Sequence, residues 1–336
     1  RDAVAAVACE GADALALFAL DTGEPLGEIP VGSHPVHATT VRGQTFVATM
    51  GDRAVSVVGP DGTVSRIETG VLGPSHFAMA DGKLFVSCSA GDVLAVIEPD
   101  ERTLVDRIGV GAEPHEMAVS ANGRWLYAGS RRDGVVDVIE VETRERVAAV
   151  DIGAGARVQG VALSPEAERG YAVDQRGERV VAFKTDESTG TVTVPNPGSA
   201  VDPDATPIVG TAEVGADPYD LVVADGRVFV PGREDGTVSE FDLDLTLRTV
   251  HDGFVRPVDL CRLDERWWVL DAGDARIRSL DGEVISTTAP GLSATTAGDR
   301  LVVSHYDDDA VSVVSVTAGT VWTADSPAHP FGSVVV

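Results

Sequence analysis

The chain has 336 residues, 43% of them hydrophobic, with a net charge of −27 and a pI near 4.4. A surface this acidic repels nucleic acid and anionic lipid and argues against both as partners, and no apolar run is long enough for a membrane span. Three cysteines, Cys9, Cys88 and Cys261, are too few and too odd in number for a disulfide framework.

Residue 1 is Arg rather than Met. A leader removed from a precursor is the expected cause, which points to a secreted or periplasmic protein; simple trimming is the alternative. The first segment, AVAAVACEGADALALFALDTGEPLGEI, has strand-like stretches but lacks an inner strand before them. From Val31 the chain changes to a glycine turn, a proline and an alternating strand, VGSHPVHATTVRGQTFVATM. Four strands are expected in this unit, at 36–41, 45–49, 54–58 and 64–67, with DG and GD turns marking the hairpins.

The turn-then-strand signature returns along the whole chain, for example as GPSHFAMADGKLFVS, AEPHEMAVSANGRWLYAGS and ADPYDLVVADGRVFVPG. The proline position falls at Pro35, Pro74, Pro114, Val158, Pro218, Pro257, Ala289 and Pro330, with spacings of 39, 40, 44, 60, 39, 32 and 41. Repeats of about 40 residues with four strands each are the signature of β-propeller blades. The expectation is an all-β, single propeller domain over residues 1–336, of eight blades with seven as the rival. The C-terminal FGSVVV would complete the N-terminal blade. The 60-residue spacing holds a Thr-, Pro- and Asp-rich stretch, 185–212, expected to be an extended surface insertion.

The segment VGAEPHEMAVSANGRWLYAGSRRDGVVDVIEVETRERVAAVDIG resembles the YVTN-type propeller repeat, which has a proline followed two residues later by glycine, then an SPDG-like turn and a VID-like strand. The resemblance covers nearly the whole chain and implies the fold. Propellers host many unrelated activities, so it implies little about function.

Where that repeat has glycine, this chain reads His37, His76, Glu116, Gly160, Asp220, Asp259, Gly291 and Gly332. In a propeller the position starts the innermost strand, by the mouth of the central channel, where side chains converge. His37, His76 and Glu116 on consecutive blades make a ligand set for zinc, with copper or manganese as alternatives. Asp220 and Asp259, also consecutive, would suit a hard cation such as calcium. Met50 and Cys88 end neighbouring strands and would favour a softer metal. His34 and His115 flank the cluster and are expected to face the loops.

Loops on the same face carry Arg131, Arg132, Arg176 and Arg233, and of these Arg131 and Arg233 are the candidates to hold a small anionic molecule. The stretch His305-Tyr306-Asp307-Asp308-Asp309 is a further candidate rim. No phosphate-binding glycine loop, Cys-x-x-Cys or nucleophile elbow is present.

Three functions follow. The first is a ligand-binding propeller with a divalent-metal site at the channel mouth; its expected ring closure and inner-strand histidines are similar to periplasmic zinc metallochaperone propellers. The second is an enzyme, since PHEMAVSANGRWLYAGSRRDGVVDVIE and VVAFKTDESTGTVTV resemble lactonase-type propellers. That resemblance implies a hydrolytic set drawn from His76, His115, Glu116, Arg131 and Arg233, and a lyase or cyclase would use His37 and Glu116 as base and acid. The third is a scaffold that docks a protein or polysaccharide on its broad face.

Overall fold

The computed structural model describes residues 3–164, 169–185 and 208–336. Eight antiparallel, four-stranded sheets are arranged as a β-propeller. Blades 1 to 7 cover residues 35–68, 74–109, 114–151, 158–213, 222–251, 257–286 and 293–325 in turn. Blade 8 joins Val4–Cys9, Ala14–Ala19 and Pro25–Pro30 to the C-terminal strand Pro330–Val335, which pairs with Val4–Cys9 as expected. The strands of blade 1, Pro35–Val41, Gln44–Thr49, Ala54–Val58 and Val64–Glu68, fall within a residue or two of their expected places.

The burial pattern explains why these residues form these strands. In blade 2 the second and third strands, Lys83–Cys88 and Val93–Glu98, are buried along almost their whole length, and both are nearly continuous apolar runs. A strand covered on both faces has no use for polar alternation. The outermost strand, Thr103–Gly109, alternates between exposed and covered residues because only one face meets protein.

That rule also corrects one boundary. Residues 186–207 of the expected insertion lie outside the described residues. Its C-terminal part, 208–212, is not loop: Ile208–Glu213 is the outermost strand of blade 4 and pairs with Arg179–Lys184. An outermost strand needs apolar residues on one face alone, and the sequence IVGTAE carries too few to stand out.

The chain divides into two compact units. One, residues 1–75 and 254–336, carries blades 6, 7, 8 and 1; the other, residues 76–253, carries blades 2 to 5 except for the first two residues of blade 2. In the second unit Trp125, Tyr127, Val138, Val158 and Phe183 belong to one buried cluster that joins blades 3 and 4.

Buried aspartates fix the loops that lead into the inner strands. Asp137 accepts hydrogen bonds from the Gly111 amide at 2.9 Å, the Ser130 hydroxyl at 2.5 Å and Arg146 Nε at 2.5 Å. Asp174 accepts from the Arg157 and Gly177 amides and from Arg179 Nε. Asp271 holds the Val255, Arg256 and Gly273 amides. A carboxylate that meets several donors keeps its charge at low cost in a buried setting.

Candidate metal centre

The site begins with a bulge. In blade 3 the inner strand Pro114–Val119 pairs with Trp125–Ser130, and the register slips between Pro114 and Met117. His115 and Glu116 therefore oppose the single residue Gly129. A regular pleat sends adjacent side chains to opposite faces, whereas a bulge breaks the alternation. Both side chains reach the same point as a result.

His76, on the inner strand Pro74–Ala80 of blade 2, completes the group. Its Nε2 lies 3.1 Å from Glu116 Oε1, and its ring centroid is 4.2 Å from that of His115. One ligand atom from each of the three residues lies within 4.8 Å of the others.

The hydrogen bonds of His115 settle its tautomer. Its Nδ1 is 2.9 Å from the carbonyl oxygen of Gln159, which can only accept, so Nδ1 carries the proton. Nε2 is left with its lone pair, 3.4 Å from the Gln159 side-chain amide nitrogen. A carbonyl that orients an imidazole in this way is the usual outer support of a metal-ligating histidine. His115 is only 6% exposed. Burial, followed by the positive influence of His76 and Arg131, pushes its pKa down to about 3, against the opposing pull of Glu116. The ring is therefore neutral across the ordinary pH range, and its Nε2 lone pair accepts only the long 3.4 Å bond from the Gln159 side-chain amide.

Tyr219 forms the next wall. Its ring meets His115 edge-on at 6.2 Å, and the Arg233 guanidinium lies 4.2 Å from the ring centroid. Burial raises the Tyr219 pKa, partly offset by Arg233 and Arg131, so the phenol stays protonated. Arg233 is tied to Asp217, with Nη2 2.8 Å and Nε 2.9 Å from the same oxygen. Arg131 reaches Glu113 at 3.7 Å only.

Of the expected trio His37, His76 and Glu116, the last two converge, and the third member of the group is His115. The expectation that His115 faces the loops fails because the bulge turns it inward. His37 belongs to the other unit, where its ring meets Phe331 edge-on at 5.2 Å. Gly332 makes room for it: a Cβ there would lie 2.9 Å from His37 Nδ1. Asp220 precedes the short inner strand Val222–Ala224, and its Oδ1 accepts from the Leu221 amide at 2.7 Å. Asp259 does the same for Leu260 at 2.7 Å in the other unit. Cys88 is fully buried, its thiol donates to the Val86 carbonyl, and burial pushes its pKa up to about 12, which removes it as a soft thiolate ligand. Met50 is exposed. In the Asp-rich rim, Tyr306 donates to Glu10 at 2.7 Å and Asp309 accepts from the His329 amide.

Gln159 and Tyr219 escaped the reading of the sequence. A signal existed at the residue after the proline position, which reads His115, Gln159 and Tyr219 in blades 3, 4 and 5 but Val36 and Val258 in blades 1 and 6.

No protein-family model and no curated protein sequence matches the chain. Solved structures do. The dihydro-haem d1 dehydrogenase NirN, solved with DHE, is similar at a TM-score of 0.72 and 13% identity over 98% of this chain and 74% of that one. Citrobacter koseri AztD gives 0.68 and 12%, over 99% of this chain and 97% of that one. The Pseudomonas aeruginosa periplasmic gluconolactonase PpgL gives 0.60 and 14%, over 99% of each chain. The likeness is one of fold. Among the described residues no helix is long and apolar enough to cross a membrane.

Proposed function

We propose that the protein is a ligand-binding propeller whose His76, His115 and Glu116 hold a divalent transition metal, zinc before copper or manganese. The observation that carries this reading is His115: buried, neutral and aimed by the Gln159 carbonyl, with a ring nitrogen within 4.8 Å of the donor atoms of His76 and Glu116. Two imidazole nitrogens and one carboxylate oxygen match the three-protein-ligand set that leaves a coordination position open. The metal would supply a Lewis acid at that position. His76 and Glu116 would each offer a donor atom, and Gln159 would hold the His115 ring in place. Asp220 is a second-rank ligand candidate in this reading. A secreted or periplasmic address and membership of the YVTN-type repeat proteins accompany it.

Metal content measured on protein purified without chelator tests this, alongside a His76→Ala/His115→Ala variant. The expected result is about one zinc ion per chain, lost in the variant. Absence of stoichiometric metal in the wild-type protein, even after equilibration with zinc, would overturn the reading.

A second reading is an enzyme, favoured by the 3.1 Å contact between His76 Nε2 and Glu116 Oε1 beside a protonated Tyr219. Such a pair is placed for general acid–base work on a lactone or a related ester. Turnover of a lactone panel by chelator-stripped protein, abolished by Glu116→Gln, would favour it over metal binding alone. Docking of a protein or polysaccharide is left as the reading if both tests fail.

A further inference from the structure

The arginines beside the triad are unevenly neutralised. Acidic residues outnumber basic ones, 53 to 26, so an arginine in this chain normally meets a carboxylate. Arg233 has Asp217, and Arg132 takes Glu113 at 2.8 Å. Arg131 has the remaining oxygen of that same Glu113 at 3.7 Å, beyond hydrogen-bond length. Arg157 has no salt bridge among the described residues, and its loop packs against that of Arg131: a Cβ on Gly129, two residues before Arg131, would lie 2.8 Å from Cγ1 of Val158, the neighbour of Arg157. The Nε of both Arg131 and Arg157 is buried without a hydrogen-bond acceptor.

Two arginines on adjoining loops, each with a buried Nε donor unused, are unfavourable unless something negative joins them. The backbone holds them there all the same. The Arg131 amide donates to the Glu113 carbonyl at 3.1 Å, and the Arg157 amide donates to buried Asp174 at 2.9 Å. Both arginines enter from loops next to the triad: Arg131 directly follows Ser130, the partner of Pro114, and Arg157 lies two residues before Gln159. Arg131 also lines a polar cleft of about 390 Å³ with Asp92, Glu113 and Arg132, which gives access from solvent.

We infer that Arg131 and Arg157 form an oxyanion subsite that binds the carboxylate or phosphate of a small ligand beside His76, His115 and Glu116. Planar guanidinium forks match both oxyanions bidentately. Tyr219, edge-on to His115 at 6.2 Å, adds a hydroxyl donor on the same side. The ligand is thereby defined as a small acid, with its charged end on the arginines and its remaining oxygens towards the triad. The inference rests on the metal reading for the site that the anion serves, and it is tested without the metal.

Chelator-stripped protein is titrated with acetate and, separately, with inorganic phosphate at constant ionic strength. Heat and the arginine Nε–H resonances are followed. Saturable binding that shifts the Arg131 and Arg157 signals is expected, about tenfold weaker in Arg157→Gln, partly kept in Arg157→Lys and unchanged in Arg132→Gln. The tighter of the two anions names the class. The His76→Ala/His115→Ala variant is expected to keep the binding, so failure of the metal reading leaves this result standing. Conversely, zinc content equal in wild type and Arg157→Gln shows that loss of the anion is not loss of the metal. Absence of saturable binding of either anion, or equal weakening by Arg157→Gln and Arg132→Gln, would overturn the inference.

Discussion

The two units of the chain use one repeat in two ways. In residues 76–253 the inner-strand starts gather His76, His115 and Glu116 into one cluster of candidate metal ligands, with Tyr219 beside it. In the other unit His37, at the equivalent position, rests on Phe331, and buried His305, at the end of the second strand of blade 7, bonds the Pro290 carbonyl at 3.1 Å and Ser312 Oγ at 2.8 Å. The inner-strand bulge is not the difference, because blades 1 and 6 have one too, at Pro35 and Pro257. What differs is the residue inside it: a valine at Val36 and Val258, a histidine at His115. A repeat can therefore cluster ionisable side chains at one copy and pack apolar ones at another without a change of backbone.

The comparison breaks most readily at its shared framework. Asp137→Ala and Asp271→Ala each strand two or more buried donors, one in each unit. Each is expected to cost about 3 kcal/mol or more in denaturant unfolding. A neutral result for either would mean that the loops are held by something other than these carboxylates.

The functional contrast is sharpened by His115→Ala against His37→Ala. Zinc affinity is expected to fall at least about a hundredfold for the first and by less than about threefold for the second, read by competition with a chromophoric chelator. Equal losses would return His37 to the ligand set.

Acid titration probes the packing histidine. Burial lowers the His305 pKa from its ordinary value near 6.5. The unfolded chain therefore binds a proton there before the folded chain does, and His305 favours folding fully above about pH 6.5 and progressively less as pH falls towards its folded-state pKa. His305→Asn is expected to flatten that part of the stability curve of metal-free protein, measured by denaturant midpoints between pH 7 and 5. An unchanged slope would sink the assignment.

The smallest effect is expected from Arg132→Ala, which removes an exposed ion pair to Glu113. Less than about 1 kcal/mol should be lost, with zinc content unaltered.

The propeller, its eight blades and the closure by FGSVVV were all legible in the sequence, because each blade repeats one pattern of turn, proline and apolar run, and spacing survives in one dimension. His76 and Glu116 were legible for the same reason: they stand at a repeat position where glycine is expected. His115, Gln159, Tyr219 and Arg157 were not. Alternation along a strand assigns His115 to the face away from Glu116, and only the extra residue of the bulge brings the two together. The loops that carry Arg131 and Arg157 adjoin where Gly129 lies against Val158, and no periodicity records which loops meet. Composition and repeat thus determined the architecture, since hydrophobic burial is periodic along the chain. The tertiary structure decided the site, since ligand geometry depends on local breaks in that period.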